Sequence, residues 1–179
     1  MAITINGSGT ITGISAGGLP DGSVTAADIA SSLDLSGKTV TLPSGTGGKV
    51  LQVVQATTTT AVSTNGTSYI DTGNTVTITP SSTSSKILVM VSQSVRKTTD
   101  NSVSLKLLRG STDLWSGQNL FHSQVNNHWD IVPMTYLDSP STTSATTYKM
   151  QFASRDNGET VSVQYSSVRS TIIAMEIAG

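Results

Sequence analysis

The two histidines of the chain, His122 and His128, lie in one short segment, NLFHSQVNNHWD. Together with Asp130 they could supply three ligands to a metal ion. Their spacing matches no standard zinc signature, however, and a full shell would need ligands from several copies around a symmetry axis. The chain has no Cys, so it offers neither thiolate ligands nor disulfides. We therefore expect no metal site and no cofactor.

Three large aromatic side chains accompany these histidines: Trp115 and Phe121 precede His122 and His128, and Trp129 follows. An exposed Trp can stack on sugars or anchor an interface, whereas a buried Trp fills a core. We expect Trp129, which precedes the strand-like residues DIV, to lie in the core or in a subunit contact. For Trp115 both readings stay open. The sequence thus predicts a surface or interface cluster of Trp115, Phe121, His122, His128 and Trp129.

Groups arranged for catalysis are harder to find. Most of the acidic residues lie in turn-like segments, and no two of them form the facing pair that glycoside hydrolysis requires. Asp156 and Glu159 flank Asn157-Gly158, a strong hairpin signal, so solvation of a hairpin explains them. The chain contains no Gly-x-Ser-x-Gly nucleophile elbow and no phosphate-binding loop. We therefore expect that the protein is not an enzyme.

The charge composition narrows the choice of partners. Only 12% of the residues are charged, and the net charge is -1. A nucleic-acid partner is not expected, because no excess of Lys or Arg can neutralise phosphates. Arg96 and Lys97 are predicted to be solvated charges on a loop. We expect neither a signal peptide nor membrane insertion, because no apolar run approaches the ~20 residues needed to cross a bilayer.

From Lys49 onward the sequence consists of strand-like runs separated by turn signals. Regular alternation, as in Val103, Leu105 and Leu107, is typical of half-buried strands. The run KILVMV is apolar on both faces, which indicates a central strand or a subunit contact. The sequence predicts an all-β, antiparallel, jelly-roll-like β-sandwich over residues 49–179. Its eight runs are KVLQVVQ, NTVTITP, SKILVMVSQSV, SVSLKLLR, DIVPMTYL, TYKMQFAS, TVSVQYSS and STIIAMEIA.

Residues 1–48 are rich in Gly, Ser and Thr and contain few large side chains. Thr25 and Asp28 form a capping-box-like helix start, and Ile29 and Leu33 share one helical face. A helix this short is marginal in water, so it needs a partner surface. We expect an extended attachment arm that contains one short helix and ends at the flexible joint SGTGG. The predicted docking residues of the arm are Ile29, Leu33, Leu35, Val40 and Leu42.

Several stretches resemble the fibre and tail-fibre proteins of bacteriophages, especially marine and cyanobacterial ones. They are GISAGGLPDGSVTAADIASSLDLSGKTVTLPSGTGGKVLQVVQA in the arm, YIDTGNTVTITPSSTSSKILVMVS in the head and the final STIIAMEIAG. The resemblance covers nearly the whole length. It implies a virion structural protein, a parallel homotrimer, and a β-sandwich head similar to tumour-necrosis-factor and complement C1q modules.

The leading hypothesis is therefore a short phage fibre, assembled in the host cytoplasm and exposed on the virion surface. Its arm would dock on a capsid, portal, tail or baseplate protein, and its head would project and could bind a host-surface glycan or protein. The alternative is a head fibre or a capsid decoration protein, which the short arm favours, whereas the resemblance slightly favours a tail fibre. A polysaccharide-degrading enzyme is a weaker alternative, because no catalytic pair is evident. The apolar surplus of KILVMVSQSV and STIIAMEIAG predicts a homotrimer.

Overall fold

The computed structural model describes residues 4–5, 11–12, 49–99, 101–123 and 125–179. By its contacts the chain divides into two compact units, Met1–Ser44 and Gly45–Gly179. The first contains strands β1 (Thr4–Ile5) and β2 (Ile11–Thr12), which pair antiparallel. The predicted short helix lies outside the described residues, as do the predicted docking residues Ile29, Leu33, Leu35, Val40 and Leu42. The boundary between arm and head at residue 48 stays a prediction.

The second unit consists of strands and one short 3-10 turn, Tyr165–Ser167. Each of the eight predicted runs contains a strand, and β4 and β8 are additional. The strands are β3 (Val50–Thr58), β4 (Val62–Thr64), β5 (Ile70–Ile78), β6 (Lys86–Lys97), β7 (Asn101–Arg109), β8 (Thr112–Ser123), β9 (His128–Asp138), β10 (Thr146–Ser154), β11 (Val161–Val163) and β12 (Ser170–Ile177).

These strands form two antiparallel sheets. The four-stranded sheet has the order β5-β10-β7-β8, and the six-stranded sheet is built around β6. Along one edge of β6, β12 pairs with the first half and β11 with the end, whereas β9 pairs with the whole of the other edge. β3 and β4 lie outside β12 and β11. The predicted all-β antiparallel sandwich is confirmed for the part of the chain that is described.

Alternate residues of both sheets face each other and form one core. In β6 the buried positions are the odd-numbered ones for most of its length, and in β12 they are the even-numbered ones. The period of two therefore places one side of each strand in the core. Fully buried core side chains of the four-stranded sheet include Leu105, Leu107, Tyr148, Met150 and Phe152, and those of the six-stranded sheet include Ile87, Val89, Val161, Val163 and Ile172.

The hairpin predicted at Asn157-Gly158 is not observed. The flanking strands β10 and β11 belong to different sheets, so this segment crosses from one sheet to the other. Gly158 has a φ of +94°, and its amide donates to the carbonyl oxygen of Asn65 at 2.8 Å. Gly158 provides the positive φ that the crossing needs, since glycine adopts it without strain. A turn signal therefore specified the bend but not the strand pairing.

A buried ionic cluster joins the two sheets. Asp138, at the end of β9, is 6% exposed. Its carboxylate accepts hydrogen bonds from Arg109 Nη1 of β7 at 2.8 and 2.9 Å and from the Tyr148 hydroxyl of β10 at 2.7 Å. Burial and the bond to this carboxylate raise the pKa of Tyr148 far above its usual value, so the phenol stays protonated as the donor. Asp138 thus bridges the sheets through charge-assisted hydrogen bonds.

A second buried carboxylate, Glu176 of β12, is fully satisfied by hydrogen bonds. Its Oε1 accepts from the amide and the hydroxyl of Ser81 at 2.7 and 2.6 Å, and Oε2 accepts from Gln52 Nε2. Burial alone would raise the pKa of this carboxyl group. The hydrogen bonds from Ser81 and Gln52 outweigh burial and lower the pKa from 4.5 to about 2. Glu176 therefore holds the β5–β6 loop against the sheet as an anion.

Candidate functional site

The outer face of the six-stranded sheet carries an uninterrupted apolar row. Register places one residue from each of β3, β12, β6 and β9 side by side on the face that points away from the core: Val53, Met175, Leu88 and Leu137. Val53 and Leu137 are 55% and 51% exposed. In the next row Ile173 and Met90 are flanked by Gln55 and Thr135. We call Val53, Leu88, Met90, Leu137, Ile173 and Met175 the apolar patch.

A row of three hydroxyl side chains and one proline separates this patch from the rest of the same face. The third row consists of Thr57, Thr171, Ser92 and Pro133. Beyond it, Ser94 lies opposite Ile131, and Arg96 lies opposite Trp129. Leu137 and Trp129 are eight residues apart on β9, so about 26 Å of strand separates the two ends of the face. The face therefore has an apolar end and an aromatic end.

At the aromatic end, the guanidinium of Arg96 contacts two rings. Its guanidinium carbon is 4.0 Å from the centroid of Tyr165 and 5.6 Å from that of Trp129. Arg96 Nη2 also donates to Oδ1 of Asn127 at 2.7 Å. The two ring centroids are 6.3 Å apart and tilted by 37°. Cation–π contacts and this hydrogen bond thus hold the rings in fixed relative positions. We call Arg96, Trp129 and Tyr165 the aromatic cluster.

Tyr165 reaches the cluster from a strained turn between β11 and β12. Gln164, Ser166 and Ser167 have φ values of 49°, 54° and 59°. Left-handed backbone is unfavourable for residues other than glycine, and it persists where the surroundings hold it in place. The alternation of Val161, Val163 and Tyr165 had predicted a continuous strand, but the strand ends at Val163. The turn directs Tyr165 to the outer face of the sheet.

An open cleft of about 360 Å³ adjoins the aromatic cluster. The residues that line it are Ser94, Val95, Trp129, Asp130, Ile131 and Val168. The indole of Trp129 is 52% exposed, and Ile131 and Val168 are also exposed. The Asp130 carboxylate accepts the amide of Ile131 at 2.7 Å through Oδ1. Register places Trp129 and Ile131 on the outer face of the sheet and Asp130 on the side of the buried Val95, so the cleft presents a mainly apolar wall to solvent.

The five residues that the sequence predicted to form a surface or interface cluster do not lie in one environment. Trp115 on β8 of the four-stranded sheet is half-buried and packs against the core. Trp129 on β9 is exposed on the outer face of the six-stranded sheet. It is therefore not a core residue, which was one of the two roles predicted for it; the other role, a subunit contact, stays a prediction. His128 is half-buried beside it. Phe121 and His122 belong to β8, and their side chains lie outside the described residues.

The prediction that Arg96 and Lys97 are loop charges is wrong. Both residues end strand β6, and their side chains point to opposite faces. Lys97 is fully buried, and its Nζ donates to the carbonyl oxygens of Thr99 and Val125 at 2.7 and 2.9 Å. Sequence reasoning missed Arg96 and Tyr165 as partners of Trp129. The sequence could have placed Arg96 on the outer face of β6, because Arg96 lies two positions after Ser94 in a run whose side chains alternate between the two faces.

Groups for metal binding or catalysis do not assemble within the described parts of the chain. No set of three or more His, Asp and Glu residues there could hold a metal ion. Several carboxylates serve structural contacts. Asp113 pairs with Lys106, and Asp71 accepts from Lys149 and Gln151. Burial would raise the pKa of Asp71, but these two donors lower it overall.

A smaller, polar cleft of about 150 Å³ opens on the four-stranded sheet. Tyr69, Gln118 and Arg155 are among the residues that line it. Lys106 Nζ lies 4.6 Å from the Tyr69 centroid, and it is also paired with Asp113.

No helix in the described residues is long and apolar enough to cross a membrane.

No protein-family model matches the chain, and no curated protein sequence matches it. Solved structures do match. Dimeric latent PorU from Porphyromonas gingivalis has 10% identity and a TM-score of 0.40, over 75% of this chain and 14% of that chain. The infectious bursal disease virus Gx strain structure has 9% identity and a TM-score of 0.42, over 79% and 42%.

A VP2 subviral particle of infectious bursal disease virus has 11% identity and a TM-score of 0.38, over 72% of this chain and 38% of that chain. The chain thus spans less than half the length of each of these three proteins. At such identities and TM-scores the likeness is distant, and it carries no conclusion about function.

Proposed function

We propose that this chain is a virion structural protein of the bacteriophage fibre type. In this proposal the sandwich self-associates as a homotrimer through the apolar patch and projects from the particle. Residues 1–48 dock on another virion protein, such as a capsid, portal or tail protein. The sequence resemblance supports the class of protein, and the apolar patch supports self-association.

The apolar patch is the observation that carries the proposal. It spans four strands, and the outward side chains of β6 between Lys86 and Arg96 are all uncharged. The surface elsewhere is rich in hydroxyl groups, so an apolar row of this width marks a contact surface. Such a face can bury itself against identical faces around a closed symmetry axis, and closure limits the assembly to a defined number of copies.

Edge-to-edge association is disfavoured at the side of the sheet formed by β9. Pro133 lies in the middle of β9 and has no amide hydrogen to donate to a further strand. Proline on an edge strand prevents sheet continuation between molecules. Self-association is therefore expected through the face of the sheet and not through this edge.

The test is the mass of the protein in solution, measured by light scattering at micromolar concentration. We expect a trimer, and a monomer for the double variant Val53→Ser/Leu137→Ser. Full burial of an apolar side chain contributes about 1.5–3 kcal/mol, so a half-exposed Leu137 contributes about 1 kcal/mol per copy and about 2–4 kcal/mol per trimer. Val125→Ser, at a residue that is 62% exposed but outside the patch, is the matched control. A monomeric wild type would refute the self-association.

The proposal includes no catalytic role. It is supported by the contacts of Asp71, Asp113, Asp138 and Glu176, which hold strands and loops together. Incubation of the pure protein with bacterial surface polysaccharide should therefore release no reducing ends. Release that depended on Asp156 or Glu159 would contradict this part of the proposal.

A further inference from the structure

The turn that carries Tyr165 begins with a polar side chain that lies entirely inside the protein. Gln164 is fully buried, although glutamine is mostly found at protein surfaces. Its φ of 49° is left-handed, and Ser166 and Ser167 of the same turn also have positive φ. Residues other than glycine do not prefer this conformation, so contacts from outside the turn must stabilise it.

The partners of Gln164 determine the orientation of its amide group. Backbone carbonyl oxygens of Thr60 and Thr72 lie 3.2 Å from one end of the amide. At the other end, the Ser170 hydroxyl lies at 2.9 Å and Gln93 Nε2 at 2.8 Å. We assign Nε2 to the first end, where it donates to both carbonyls, and Oε1 to the second, where it accepts from both donors. The opposite orientation would place oxygen against oxygen.

The hydrogen bonds continue from Gln164 into both sheets. Ser170 Oγ of β12 accepts from the Ser94 amide at 2.9 Å and from Gln93 Nε2 of β6 at 3.0 Å. Gln93 Oε1 accepts from Asn74 Nδ2 of β5 at 3.2 Å. Because β5 belongs to the four-stranded sheet and β6 and β12 to the six-stranded one, these side chains connect both sheets to the turn. We call Asn74, Gln93, Gln164 and Ser170 the buried network.

The strand period shows what the turn changes. In a regular strand, residues 161, 163 and 165 would lie on one side. Val161 and Val163 are fully buried in the core, so a continued strand would direct Tyr165 inward. Instead Gln164 occupies the interior and Tyr165 is 36% exposed. The conformation of the turn therefore decides which of two neighbouring side chains reaches the outer face.

We propose that the buried network is a positioning device that holds the left-handed turn and so keeps Tyr165 against Arg96 on the outer face. If Gln164 left the interior, Gln93 and Ser170 would each lose a hydrogen-bond partner while remaining fully buried. Buried polar groups without partners are costly, so the turn cannot relax to extended backbone at no cost. The device lies within one sandwich and does not depend on self-association.

The experiment compares two glycine substitutions in the same turn. Gln164→Gly removes a side chain of the buried network, whereas Ser166→Gly leaves the network intact, and both replace a left-handed residue by one that adopts positive φ freely. The readout is the NMR chemical shift of the Arg96 side-chain hydrogens, because the guanidinium carbon lies 4.0 Å from the Tyr165 centroid. Tyr165→Leu gives the shift expected when the ring is absent.

We expect Gln164→Gly to move the Arg96 resonances to their positions in Tyr165→Leu, and Ser166→Gly to keep the wild-type positions. Gln164→Met, which is similar in length but forms no hydrogen bonds, should behave as Gln164→Gly does. Wild-type shifts in both Gln164 variants would overturn the inference, because backbone or packing alone would then hold the turn. A released ring in Ser166→Gly would also overturn it, because the intact network would then be insufficient.

Two further measurements apply even if the Gln164 variants fail to fold, as judged by circular dichroism. Ser170→Ala removes only a hydroxyl and should move the Arg96 resonances in the same direction. In the wild type, the Nε2 hydrogens of Gln164 should exchange with solvent at least about a hundredfold more slowly than those of the exposed Gln55, because their exchange requires local opening. Equal exchange at the two glutamines, or unchanged resonances in Ser170→Ala, would contradict the proposal.

Discussion

Replacing Arg109 by Met should destabilise the sandwich strongly, because it leaves a charge buried between the sheets. Asp138 is 6% exposed, and its carboxylate accepts from Arg109 Nη1 and from the Tyr148 hydroxyl. Without Arg109 the carboxylate keeps only the bond from Tyr148. Met fills a similar apolar volume, so the substitution removes the charge with little loss of packing.

Breaking a buried ion pair from one side costs about 3–5 kcal/mol. The side chain of Arg109 is 29% exposed, and Tyr148 still donates, so we expect the lower end, about 3 kcal/mol. Tyr148→Phe removes one hydrogen bond to a charged group and should cost about 1.5–3 kcal/mol. In Arg109→Met/Asp138→Leu no buried charge remains, so most of the lost stability should return.

The assay is urea unfolding at neutral pH, followed by circular dichroism, with the same m-value required of all variants. The matched control is Lys106→Met on the same strand, because Lys106 forms an ion pair with Asp113 whose side chains are 25% and 47% exposed. Exposed pairs contribute little to stability because solvent screens them, so the control should change little. If Arg109→Met cost no more than Lys106→Met, the cluster would not be a significant link between the sheets.

Two further predictions concern stability. The pKa of Glu176 is lowered from 4.5 to about 2 in the folded state. The stability that its ionised carboxylate contributes is therefore present above pH 4.5 and lost as the pH falls toward 2. Urea unfolding of Glu176→Gln at several pH values should lack this part of the acid dependence. Gly158→Ala should cost about 1 kcal/mol or more, because Gly158 has a φ of +94°. Gly66→Ala, at a position without positive φ and with its nearest neighbour at 3.7 Å, is the control. Equal melting temperatures for the two glycine variants would contradict the argument from backbone strain.

The strands of the sandwich could be predicted from the sequence because their signal is local. Alternation in β7 and β10 specifies which side faces the core, and consecutive apolar residues in β6 and β12 specify an apolar outer face. β8 was missed because its register with β7 shifts twice, between Val103 and Leu105 and between Leu107 and Leu108. Such irregularities break the period of two on which the prediction depends.

The aromatic cluster could not be predicted, because it depends on pairing between distant segments. Arg96 meets Trp129 only through the register of β6 and β9, and Tyr165 joins them from a turn that alternation had assigned to a strand. Asn157-Gly158 shows the same limit, since it predicted a bend but not which strands the bend connects. Local patterns specify strands and turns, whereas register is decided by the packed core.

The position of β12 between β3 and β6 has a consequence for the order of events during synthesis. β12 pairs with both neighbours, and its contact between Glu176 and Gln52 joins residues 124 positions apart in the chain. While a ribosome is still making β12, β3 and β6 each present an open strand edge to solvent. On a polysome, where copies are close together, the finished β12 of one chain can fill the gap in its neighbour. Slower translation before residue 170 should therefore increase strand-exchanged multimers, and a released, fully made chain should refold without them when diluted.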